Sequence, residues 1–107
     1  MKVQDCTRVH ALKILPRYFA AIQRGTKTFE VRKNDRNFAE ADTLMLREWS
    51  DELGYTGRTL RVRVNYIMHG GQFGLEEGYC VMAIAPEMLV HNHGPEVRGE
   101  CMEREGA

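Results

Sequence analysis

At 107 residues, with a 43% hydrophobic composition and a formal net charge of zero, the chain has room for one domain around one core and not for two. No run approaches the roughly eighteen apolar residues of a membrane-spanning helix, and the first residues lack a charged-then-apolar signal pattern, so a cytoplasmic protein with no membrane partner is expected. Cys6, Cys80 and Cys101 are odd in number, far apart and free of Cys-x-x-Cys spacing, which argues against a disulfide framework or a metal site.

Residues 1–8 read as a lead-in. Val9 to Ile14 roughly alternates and predicts a first strand, with Val9, Ala11 and Lys13 on one face and His10, Leu12 and Ile14 on the other. Pro16 suits the first position of a helix, Ile14 and Phe19 have the spacing of a hydrophobic staple, and Arg24 followed by Gly25 suits a helix end. A short helix is therefore predicted over 16–24. Thr28 to Lys33 reads as a strand with Phe29 and Val31 facing one side and Thr28, Glu30 and Arg32 the other. Asn34 and Asp35 then signal a turn.

Asp42 to Trp49 predicts the next strand, and the Gly-containing stretch Ser50 to Gly57 predicts a hairpin loop. Arg58 to Ile67 is the cleanest alternation in the chain: Leu60, Val62, Val64 and Tyr66 one way, Thr59, Arg61, Arg63 and Asn65 the other. Gly70, Gly71 and Gly74 mark a connection, either a plain turn or a ligand-gating loop, and Tyr79 to Ala85 has the continuous apolar character of a buried strand. After Pro86 the pattern dissolves, and residues 86–107 are expected to be an acidic, mobile tail in which Met88 to Val90 could dock. Five strands and one helix over residues 9–85 predict an α+β, mainly β domain, strongly bent or barrel-like, with the helix closing one end.

Charge is unevenly distributed. Residues 8–36 contain Arg8, Lys13, Arg17, Arg24, Lys27, Arg32, Lys33 and Arg36 against only Glu30 and Asp35, a local excess that would make a basic patch for phosphate if the side chains converge. Inside it lies Gly25-Thr-Lys-Thr-Phe-Glu-Val-Arg32, with Lys27, Glu30 and Arg32 close together in an otherwise apolar segment. Lys and Arg only donate hydrogen bonds and an ionised Glu only accepts them. The three can brace one another at the helix–strand corner, or divide a nucleotide's phosphate and base edge between them. Single-stranded nucleic acid also needs aromatic faces for stacking. Trp49, closing its strand on the Met45 and Arg47 face, is the preferred platform; Tyr18, Tyr66, Phe73 and Tyr79 are others, while Phe19 and Phe29 are assigned to the core.

The pattern Gly-x-Lys-x-x-Glu-x-Arg after a first helix resembles the ASCH domain, a branch of the PUA-like superfamily, and Gly25, Lys27, Glu30 and Arg32 match it. The runs His10 to Phe19 and Gly25 to Arg36, with Leu46-Arg-Glu-Trp49, Tyr55-Thr-Gly-Arg58 and Gly78-Tyr79, are similar to a small bacterial and phage subfamily of unknown function. The resemblance covers roughly residues 9–85. It implies a PUA-like pseudo-barrel whose relatives mostly bind RNA or single nucleobases, although fold alone does not prove function. One group of ASCH relatives removes acyl groups from acylated cytidine with a Lys-activated Thr; Glu30 stands where those enzymes carry that Thr.

The expected function is thus binding of RNA or a nucleotide, with DNA as a possible ligand. Lys27, Glu30 and Arg32 form the expected site, Lys13, Lys33 and Arg36 assist with phosphate, and Trp49 stacks; no cofactor is implied. Two alternatives stand beside it. One is a small hydrolase of a modified nucleoside or RNA using Lys27 and Glu30, the latter as general base. The other is a phage-derived module that binds a host protein. His10 and His69 stand alone and read as locally hydrogen-bonded, and the tail pair His91 and His93 lacks the further ligands of a structural zinc site.

Overall fold

The alternating segments assemble into one mixed sheet. The computed structural model describes residues 7–87 and 100–103, comprising β1 (Thr7–Ile14), α1 (Pro16–Gln23), β2 (Phe29–Lys33), β3 (Thr43–Ser50), β4 (Gly54–His69), β5 (Tyr79–Pro86) and β6 (Glu100–Glu103). Their order across the sheet is β2-β5-β4-β3-β1-β6. β1 runs parallel to β3 and to β6, and the other neighbours are antiparallel. The fold is α+β and mainly β, with a single short helix among the described residues, after the first strand. Among the described residues no helix is long and apolar enough to cross a membrane.

All five expected strands are present, and β6 adds a sixth within the segment read as a tail, pairing Thr7–His10 with Glu100–Glu103. Met88 to Val90, His91 and His93 lie outside the described residues. The expected loop at 50–57 is shorter, because β4 begins at Gly54 and the turn is confined to residues 51–53. Leu12, Ile14, Phe19, Ile22, Leu44, Leu46, Val62, Val64, Met82 and Ile84 form the core under the helix. Burying such side chains contributes roughly 1.5–3 kcal/mol each.

Two irregularities re-aim side chains. In β4, Val64 pairs with Ile84 but Tyr66 pairs with Ala83, so Asn65 is an extra residue and the alternation flips there. Tyr66, which simple alternation sets on the Val64 face, is consequently 62% exposed, while Ile67 turns in against the core. In β3, the register shifts between Arg47 and Trp49, setting Glu48 against the longer run Thr56 to Arg58. Glu48 is buried there and accepts from Thr56 Oγ1 at 2.7 Å and Arg58 Nε at 3.1 Å.

β2 and β6 end the strand order, and arginine side chains connect the two sides of the curl. Arg32 of β2 donates to the Lys13 carbonyl of β1 at 2.8 Å, and Arg36 donates to the Ala11 carbonyl at 3.2 Å. Carbonyls two residues apart point to the same strand edge. Beyond the pairing with β6, guanidinium groups therefore cap the Ala11 and Lys13 carbonyls of β1. Arg8 reaches the other way, donating to the Arg36 and Asn37 carbonyls at 2.9 and 3.2 Å.

Candidate functional site

The motif begins where α1 ends. Arg24 donates its backbone N–H to the Ala20 carbonyl, Gly25 turns the chain with φ +84°, and the Ala21 carbonyl accepts from both Thr26 and Lys27. A left-handed turn of this kind favours Gly, because other residues lose energy to Cβ crowding. Lys27 is thereby delivered to the start of β2. Glu30, opposite the fully buried Met82, is only 4% exposed.

Both carboxylate oxygens of Glu30 are engaged. Lys27 Nζ donates to Oε1 at 2.7 Å and to the Phe29 carbonyl at 2.6 Å, while Arg32 Nε donates to Oε2 at 2.9 Å. Arg32 Nη2 continues to the Lys13 carbonyl. A buried carboxylate must be paired and hydrogen-bonded to persist, and this one is. The arrangement links the helix end, the terminal strand β2 and β1.

The sequence assigns Phe29 to the core, with Val31 on the same face, and the structure reverses that assignment. They are 44% and 48% exposed, and the charged side chains face inward. The physical reason is that Lys27 and Arg32 satisfy Glu30 within the curl, so β2 buries its ionic face and leaves its apolar face outside. Phe19, in contrast, is fully buried as expected.

The other anticipated residues separate. Lys33 lies on the outer face of β2, opposite Tyr79, and Arg36 is occupied by the Ala11 carbonyl. Lys13 and Trp49 do come together: Lys13 Nζ sits 4.2 Å from the centre of the Trp49 ring. They share the outer face of β1 and β3 with Arg47, which pairs across from Lys13 and stacks its guanidinium 4.0 Å over Tyr55. Tyr55 is the cross-strand partner of Trp49. Arg63 lies further along the same face, opposite Thr43.

Among the described residues, Lys13, Arg47 and Arg63 form no ion pair with a carboxylate. Arg61, between them, is held by Glu87 Oε1 at 2.8 Å. Arg47, Tyr55 and Arg63 were absent from the sequence-derived site, though a signal for the two arginines existed. Alternation with β3 paired to β4 would have put Arg47 and Arg63 on one face, whereas Tyr55 meets Trp49 only through the register shift between Arg47 and Trp49, which local sequence does not announce.

A family model described as Domain of unknown function (DUF3850) matches residues 9–84. The chain belongs to the DUF3850 family. The match spans both the Gly25 to Arg32 motif and the Lys13, Arg47, Trp49, Tyr55 and Arg63 face. An uncharacterized 12.9 kDa protein in the GpA 3′ region of Escherichia phage P2 is 39% identical over 57 residues. That segment is 53% of this chain and 51% of the phage protein, so the chain spans about half the length of the curated relative it matches. Neither description names a ligand.

Three further polar features are accounted for. His10, fully buried, holds Asp42 through Nε2 at 2.9 Å and meets the Phe38 ring edge-on at 4.8 Å. Asp42 also accepts from the Ala39 N–H, tying the β2–β3 connection to β1. Cys80 is buried, and burial pushes its thiol pKa up with a smaller push from Asp35. Such a thiol resists ionisation and is a poor nucleophile. Among the described residues no group of three His, Cys, Asp or Glu is placed to hold a metal ion.

Proposed function

We propose that this DUF3850 protein binds single-stranded nucleic acid on the outer face of β1, β3 and β4, and that the Gly25 to Arg32 motif braces the fold beneath it. The motif's match to the ASCH pattern supports a place in the PUA-like superfamily, and that resemblance alone favours RNA over DNA. The observation that carries the reading is the double cation–aromatic arrangement. Lys13 stands over Trp49 and Arg47 over Tyr55, on neighbouring strands, with Arg63 nearby.

Bases stack on aromatic faces while cations follow the phosphates, and stacking contributes about 1–3 kcal/mol per base. Lys13 is flexible enough to leave the Trp49 ring for a phosphate as a base arrives. The motif itself offers less to a ligand. Both Glu30 oxygens and two donors of Arg32 already have partners, which also disfavours Glu30 as a general base for hydrolysis.

Trp49 is the only tryptophan in the chain, so its fluorescence reports directly on stacking. Titration with a single-stranded RNA oligomer at low salt is expected to quench it. Three phosphate contacts predict a slope of about −2 for log K against log salt, falling in magnitude by about 0.7 for Arg47→Ala or Arg63→Ala. Binding that is undetectable at low salt, or unchanged by Trp49→Ala and Arg47→Ala, overturns the proposal.

A further inference from the structure

Two departures from simple alternation place aromatic rings on one row of the outer face. The bulge at Asn65 turns Tyr66 outward at 62% exposure, and the inverted face of β2 leaves Phe29 outward at 44%. Ala83 of β5 pairs with both, so the row reads Tyr66, Ala83, Phe29 across β4, β5 and β2. Ala83 alternates with the buried Met82 and Ile84, which sets it on the outer face as well. Val31, Val81 and Met68 make the next row. Bulges are retained where they re-aim a side chain, and contiguous exposed apolar surface marks an interaction site.

Neighbouring strands lie about 4.8 Å apart, so Tyr66 and Phe29 stand roughly 10 Å apart with only the Ala83 methyl between them. Aromatic rings stack with centroids about 4.5–7 Å apart, so one flat ring inserted between two others needs roughly 9–14 Å. The row is a slot for a single planar group, with Ala83 as its floor. Lys27, 4.8 Å from the centre of the Phe29 ring, does not occupy it. The Thr28 carbonyl accepts from Ile84 of β5, so the Phe29 carbonyl, which Lys27 holds, points away from β5.

Charge selects among planar groups. Arg63 lies one row before the slot, opposite Ala85, and Lys33 lies two rows after it, opposite Tyr79. Both are exposed, and among the described residues neither forms an ion pair with a carboxylate. An aromatic slot between two unneutralised cations matches a base flanked by its phosphates. Asn65, exposed beside Tyr66, adds an amide that both donates and accepts, as a base edge does.

We propose that Tyr66 and Phe29 clasp one nucleobase over Ala83, as a second stacking station for the strand that engages Trp49. This station rests on the nucleic-acid reading above and extends it to the length of the ligand. From Tyr55, the partner of Trp49, to Tyr66 is roughly 30 Å of strand at about 3.3 Å per residue, its irregularities allowed for. Stacked at about 3.4 Å each, about four nucleotides cover roughly 14 Å and about twelve cover roughly 40 Å. The longer strand reaches both stations and the shorter does not.

Quenching of Trp49 by oligouridylates of about four and about twelve nucleotides, at one low salt concentration, tests this. Tyr66→Ala removes one wall of the slot and Ala83→Leu fills its floor. Each is expected to weaken the longer oligomer about tenfold and to leave the shorter within about twofold of wild type, with unchanged circular dichroism. Tyr66→Phe, which keeps the ring, is expected to bind both as the wild type does. Longer-oligomer binding that neither Tyr66→Ala nor Ala83→Leu weakens, or equal losses at both lengths, overturns the second station alone, because Trp49 still reports a bound strand. Quenching by neither oligomer in the wild type overturns the nucleic-acid reading and the second station with it.

Discussion

Replacing Glu30 by Gln is the decisive perturbation of the motif. Gln keeps the shape but puts an amide N–H₂ where one carboxylate oxygen was, opposite either Lys27 Nζ or Arg32 Nε, so a donor faces a donor. Breaking a buried ion pair by removing one partner costs about 3–5 kcal/mol. Lys27 and Arg32 keep side-chain exposures of 16% and 24%, and the water they reach reduces the loss to about 2–4 kcal/mol. In a domain of this size, 1 kcal/mol moves Tm by about 4–8 °C, so Glu30→Gln should melt roughly 10–25 °C lower. Urea denaturation, with Lys33→Ala as a surface control expected within about 0.5 kcal/mol of wild type, supplies the free energy directly. RNA affinity measured well below the melting point should be unchanged within about twofold. A Glu30→Gln protein of wild-type stability that has lost RNA binding refutes the brace and returns the ligand to the motif.

Two phenylalanines give a second prediction, since sequence alternation assigns both to the core and the structure only one. Phe19→Ala, at 1% exposure, should cost about 3–5 kcal/mol in urea denaturation. Phe29→Ala, at 44% exposure, should cost about 1 kcal/mol or less; equal losses would contradict the inverted face of β2. Cys80 gives a third. Its folded thiol pKa is raised by burial, so the unfolded thiol ionises first. The associated stability is complete below the unfolded value of about 8.5 and is lost as pH rises toward the folded value. Urea midpoints compared at neutral and alkaline pH in a Cys6→Ser/Cys101→Ser background should fall with pH, and Cys80→Ala should flatten that fall; an identical pH dependence in both proteins would exclude Cys80 as its source.

The strands and helix were legible because they rest on local signals: Pro16 and Gly25 punctuate α1, and β3 and β4 alternate. What was not legible depends on non-local pairing. Asn65 looks like any outward residue of β4 until its partner strand is known; only the registers Val64 with Ile84 and Tyr66 with Ala83 reveal the bulge that turns Tyr66 outward. The inverted face of β2 was hidden for a related reason. Hydrophobicity ranks Phe29 and Val31 above Glu30 for burial, and the ranking fails where two cations from the same short segment satisfy the carboxylate. β6 was missed because four residues of mixed polarity carry little periodic signal without knowledge of the β1 edge they join.

The basic stretch at 8–36 illustrates why a charge count is a weak guide to a binding surface. Arg8, Arg32 and Arg36 donate to main-chain carbonyls across the curl, and Lys27 and Arg32 hold Glu30. Guanidinium is suited to that task, because its planar fork can reach a carboxylate and a carbonyl at once, as Arg32 does. These cations close the sheet and are not displayed to a ligand. The outward positive charge comes instead from Lys13 together with Arg47 of β3 and Arg63 of β4, two residues outside that stretch. The two groups meet at Lys13: its carbonyl accepts from Arg32 while its ammonium sits over Trp49. Losing the Arg32 bond to the Lys13 carbonyl, which Glu30→Gln leaves in place, would therefore disturb the end of β1 that presents Lys13 to the aromatic face. Arg32→Lys, which keeps the charge but lacks the fork to reach Glu30 and the Lys13 carbonyl together, is the substitution in which fold closure and the outer face would be perturbed through one residue.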